Sequence, residues 1–104
     1  MTDSLFFKIY GFIAYTTKVM PPYNLIETII KIRRLAKKHL YLCSYYTTGE
    51  IDTNEFDFQI SKIENKIISL AKNENITAKF NHDPRGATTI IYYLGENITE
   101  SLWI

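Results

Sequence analysis

From Tyr23 onward the apolar residues recur at intervals of four and three: Leu25, Ile29, Ile32, Ala36, His39 and Cys43 fall on one stripe. That spacing belongs to an amphipathic α-helix. Pro21-Pro22 breaks the chain just before it, and neither Gly nor Pro interrupts Tyr23 to Tyr46. A helix over about 24–45, capped by Asn24, is predicted. The same rhythm returns in Phe56, Ile60, Ile63, Ile67 and Leu70, after Asp52 and Glu55 in the arrangement of a capping box. A second helix over about 53–73 follows, antiparallel to the first because the intervening loop TTGEIDT is short.

Beyond Asn75 the period changes to two. Ile76, Ala78, Phe80 and His82 share one parity, with Thr77, Lys79 and Asn81 on the other. The run Ala87 to Leu94 (ATTIIYYL) is β-branched and aromatic, as strands are. Between the two stands Asp83-Pro84-Arg85-Gly86. Asp at the first position, Pro at the second and Gly at the fourth suit a type I turn, with Gly86 free to take the left-handed conformation of a closing bulge. Gly95-Glu96-Asn97 marks another turn before a short segment ending near Trp103.

The segment from Leu5 to Thr16 fits two periods. Phe7, Ile9, Ile13 and Tyr15 share the parity of a strand, while Leu5, Ile9, Phe12 and Thr16 suit a helix. Its richness in Phe, Tyr and Ile favours the strand. The predicted fold is therefore α+β: a two-helix antiparallel hairpin packed on a small antiparallel sheet built from an N-terminal strand and a C-terminal hairpin. Residues 1–104 read as one domain, with 1–20 as a possible extension, because Met20 opens the phrase MPPYNLIE, itself a plausible start.

Composition narrows the classes. Twelve Lys+Arg against eleven Asp+Glu leave a formal charge of +1, which excludes a histone-like polycation and an acidic DNA mimic. The single cysteine, Cys43, excludes a disulfide framework and a cysteine-rich zinc module. The apolar opening lacks the basic start and small-residue cleavage site of a secretion signal, and Lys8 interrupts it well short of the roughly 20 residues that span a bilayer. Cytoplasmic localisation, in the host cell, with no membrane association is the expectation. Asn75-Ile76-Thr77 and Asn97-Ile98-Thr99 match the glycosylation pattern, which without a secretion signal carries no weight.

Two features point to ligand chemistry. The first helix carries Lys31, Arg33, Arg34, Lys37 and Lys38, of which Lys31, Arg34 and Lys38 share a stripe fitted to phosphates. The competing reading is a solvated face neutralised by Glu50, Asp52, Glu55 and Asp57 across the loop. The second feature is Arg85 beside Asp83, because turn formation explains every other residue of that tetrapeptide; an arginine at a turn tip binds phosphate or carboxylate. His39 and His82 share no metal-ligand spacing, so no metal and no cofactor are expected. Cys43 and His39 lie one turn apart on the buried stripe, the wrong place for a nucleophile. No nucleophile elbow or glycine-rich phosphate loop is present, and a binding protein rather than an enzyme is expected.

The helix IxxIxxIRRLAKKHLxLC, the acidic loop, the second helix ending IENKIISLAK and the hairpin KFNHDPRGATTIIYYL together resemble small bacteriophage- and prophage-encoded proteins in which Asp-Pro-Arg-Gly follows two helices. The resemblance spans roughly residues 25–94, leaves out the leading twenty, and implies a mobile-element setting without assigning any site residue. In that setting the leading expectation is a counter-defence inhibitor that binds a host protein, through the Tyr and Arg that anchor interfaces. The alternatives are capture of a phosphorylated small molecule or nucleotide signal by Arg85, Asp83, Lys31, Arg34 and Lys38, and nucleic-acid binding through the basic helix. Exposed sheet edges and the apolar N-terminal segment add the expectation of a homo-oligomer.

Overall fold

A computed structural model describes residues 2–82 and 88–104. Three helices come first: α1 (Thr2–Thr17), α2 (Tyr23–Thr47) and α3 (Thr53–Asn73). An antiparallel sheet follows in the order β1 (Ile76–Asn81), β2 (Thr88–Tyr93), β3 (Glu96–Asn97), and a 3₁₀ turn, Thr99–Leu102, closes the chain. The architecture is α+β.

The hairpin of α2 and α3 forms as its spacing requires. All six residues of the α2 stripe are buried, and Phe56, Ile60 and Ile67 of α3 are buried against them. Leu42 and Cys43 pack with Phe56 and Ile60, while Ile29, Ile32 and Ala36 share a cluster with Ile67 and Ala71, so the helices run antiparallel. At the start of α3 the Asp52 carboxylate accepts from the Glu55 backbone N–H at 2.8 Å. At the end of α2 the Glu50 N–H reaches the Tyr45 carbonyl and the Gly49 N–H the Tyr46 carbonyl, with Gly49 at φ +79°. This is a Schellman closure, which needs the left-handed residue that glycine supplies. Asn24, expected as the cap of α2, lies inside the helix instead; Pro22 occupies the cap position, extended at φ −69° and ψ 153°, and no side chain caps that end.

The N-terminal segment departs from the expected strand. Residues 2–17 are helical, and the four positions of one parity divide: Ile9 and Ile13 are fully buried whereas Phe7 and Tyr15 are exposed. Burial four residues apart is the helical choice. Leu5, Phe6, Tyr10 and Phe12 pack at the margins of the same core, so apolar residues around most of the helix blur its period. Tertiary packing against α2 and the 3₁₀ turn overrides the strand propensity of its residues.

The hairpin strands form as expected, in the register Ile76↔Tyr93 to Asn81↔Thr88. The Asp83–Gly86 turn and its bulge lie outside the described residues. Leu94 and Gly95 join β2 to β3 with φ of +52° and +79°, a two-residue turn with both positions left-handed. Ile91 is held to the C-terminal segment by the Ile98 N–H and by the Thr99 hydroxyl, and Ile91, Ile98 and Leu102 complete the core under α2.

Candidate functional site

α2 presents two faces. Its outer face carries Lys31 and Arg34, both exposed, one turn apart and one turn beyond Glu27. α1 approaches beside them, and together they border an open groove of about 580 Å³. Phe6 and Phe7 of α1 and Tyr23 and Ile30 of α2 form its apolar lining. The Phe6 and Tyr23 rings lie 4.9 Å apart between centroids, tilted by 35°, and Phe7 meets Phe6 edge-on at 5.7 Å. Phe7 is 69% exposed, so a ring face is offered to solvent next to two cations.

Among the described residues the acids across the loop do not pair with the basic stripe. Asp52 caps α3, Glu50 takes the Thr48 hydroxyl, and Glu55 takes the Gln59 amide. Among the described residues no carboxylate lies within ion-pair distance of Lys31, Arg34, Lys37 or Lys38. The candidate ligand residues divide in three ways. Lys31 and Arg34 share the groove, Lys38 borders a separate shallow depression with Tyr41 and Tyr45, and Asp83 and Arg85 fall outside the described residues. Arg33 is structural: its Nη1 donates to the Leu102 carbonyl at 3.0 Å and ties the 3₁₀ turn to α2.

The inner face of α2 holds His39, fully buried. Its Nε2 donates to Glu64 Oε2 of α3 at 2.9 Å, and His82, just past β1, donates to the same oxygen. Phe80 stacks on the His39 ring at 5.2 Å, and His82 lies 5.5 Å from it. Burial holds the His39 pKa below its ordinary value, against the hydrogen bond and charge of Glu64 and with the repulsion of His82. Burial, reinforced by the Glu64 charge, raises that of Cys43. His39 is thus a neutral imidazole and Cys43 a thiol, whose Sγ sits 3.9 Å from His39 Nδ1. Both side chains are buried, and the thiol lies on the far side of the ring from the Glu64 carboxylate.

The sequence reading missed the aromatic wall of the groove, because it placed α1 in the sheet. It also missed Glu64, whose signal was faint: the residue lies beside the α3 stripe, and only the return of β1 brings His82 to it. No protein-family model, curated protein or solved structure matches the chain.

Proposed function

We propose that this chain is a small accessory binding protein that captures a phosphorylated aromatic ligand, of nucleotide type, in the groove between α1 and α2. One observation carries the reading: two cations with no ion-pair partner among the described residues, Lys31 and Arg34, flank a wall of aromatic rings in a groove of ligand size. Phosphate takes charge-assisted hydrogen bonds from Arg and Lys, and a base stacks on Phe7 or Tyr23. The mobile-element setting implied by the resemblance to phage-encoded proteins would give such capture a use, the removal of a host signalling nucleotide. Calorimetric titration of the full chain with ADP, adenosine and inorganic phosphate tests it. ADP binds more tightly than either fragment, and Lys31→Ala/Arg34→Ala removes the difference. Equal binding of ADP and adenosine would refute phosphate recognition.

A second reading is favoured by Phe7, Tyr15, Met20 and Tyr23, all exposed along α1, its link to α2 and the start of α2. Such a surface fits docking on a host protein, as a counter-defence inhibitor does. In that case Phe7→Ala/Tyr15→Ala abolishes capture of the host protein, while Lys31→Ala/Arg34→Ala leaves it within a few-fold.

A further inference from the structure

The inner face of α2 supports a second site, independent of the groove. We propose that His39, Glu64 and His82 bind a divalent transition-metal ion of the zinc type, through His39 Nε2, the Glu64 carboxylate and His82 Nε2.

α2, α3 and the residue after β1 deliver these groups to one point, with a sequence separation of 25 from His39 to Glu64 and of 18 from Glu64 to His82. Their ligand atoms all lie within 4.8 Å of one another. Ligands held at about 2.0–2.1 Å around a tetrahedral zinc sit about 3.3 Å apart, so small rotations of Glu64 and His82 admit an ion. Two imidazoles and one carboxylate are a donor set for zinc and its neighbours, and a poor one for magnesium or calcium, which take oxygen. The rings are already oriented. Phe80 stacks on His39, Phe56 meets His82 edge-on at 6.4 Å, and Cys43 Sγ lies beside His39 Nδ1, where it can accept that N–H once Nε2 holds the ion.

Exposure supports a metal over a purely hydrogen-bonded knot. The site is graded from the core outward, with side-chain exposures of 0% at His39, 19% at Glu64 and 48% at His82. A carboxylate already bonded to a buried histidine gains little stability from an exposed second one. An ion, in contrast, needs an entry side and leaves its remaining position to water there.

The test is zinc titration of the full chain after removal of metals by chelation, followed by native mass spectrometry, calorimetry and thermal melting. One zinc per chain and a rise in Tm of roughly ten degrees at a hundredfold excess over Kd are expected, with no response to magnesium. Substituting cobalt gives visible absorption bands of low-symmetry nitrogen and oxygen ligation. His82→Gln, at an exposed position, weakens zinc binding at least tenfold, the loss that even an outer partner of a ligand causes, and leaves the metal-free Tm unchanged. Glu64→Gln, which keeps an acceptor for His39, has the same effect on zinc. The proposal is overturned if no stoichiometric zinc binds. It is also overturned if zinc binding survives His82→Gln, or if Cys43→Ala alone abolishes it, because the ion then sits elsewhere.

Discussion

The two faces of α2 are built from opposite materials. The outer face gathers Lys31 and Arg34 beside the exposed Phe7 ring of α1, and none of these three side chains belongs to the buried core. The inner face buries Ile29, Ile32 and Ala36 at full depth and sets His39 among them with its one strong hydrogen bond. A residue of the outer face changes binding without changing the fold, whereas one of the inner face changes both. Function on the outside of a helix therefore separates cleanly from stability, and function on its inside does not.

The largest expected effect lies on the inner face. Ile29→Ala removes a fully buried side chain and costs about 2–5 kcal/mol, read as a fall in denaturant midpoint with an unchanged slope. A cost below about 1 kcal/mol means that this face is looser than its burial implies. Next comes the outer face. Lys31→Ala/Arg34→Ala weakens ADP binding by at least roughly a hundredfold, at roughly 1.5–3 kcal/mol for each charge-assisted bond, and leaves Tm almost unmoved. A parallel collapse of Tm erases the contrast between the faces.

Smaller effects sharpen it. Asp52→Ala removes the cap of α3 and destabilises by about 1 kcal/mol in chemical denaturation, although the residue is exposed. Gly11→Ala stabilises α1 by about 0.5–1 kcal/mol, because an added Cβ at this exposed helical position meets nothing within 4 Å. A loss of stability there means that α1 is not a helix in solution. The smallest effect is on pH dependence. In metal-free protein the folded chain holds the His39 proton less tightly than the unfolded chain does, so stability is complete above a pH of about 6.5 and declines as pH falls below it. Melting curves from neutral pH down to about 5 show a shallower decline for His39→Gln. Equal slopes contradict a neutral buried His39.

Legibility in the sequence follows the same division. α2 and α3 each have one apolar stripe and a polar remainder, so their spacing alone identifies them, and Asp52 signals its cap. The hairpin strands alternate because one side of β1 faces α3, with Ile76 buried and Thr77 and Lys79 exposed. α1 was not legible, since apolar residues lie around most of it and only three-dimensional packing separates buried Ile9 from exposed Phe7. The groove inherits that opacity: Lys31 and Arg34 stand out in sequence, but their aromatic neighbours belong to the misread segment. The His39–Glu64–His82 cluster was hidden for another reason. Its members share no spacing, and only the antiparallel return of α3 followed by β1 brings them together.

Whether the groove of α1 and α2 holds the proposed nucleotide-type ligand is read by native mass spectrometry of the full chain purified from cells. A mass excess of roughly a few hundred daltons per site is expected, the size of a pocket-filling ligand, with the absorption of a nucleobase. That excess is lost on denaturation and absent from Lys31→Ala/Arg34→Ala. Bare chains from every preparation, or an excess that survives the double substitution, would contradict it.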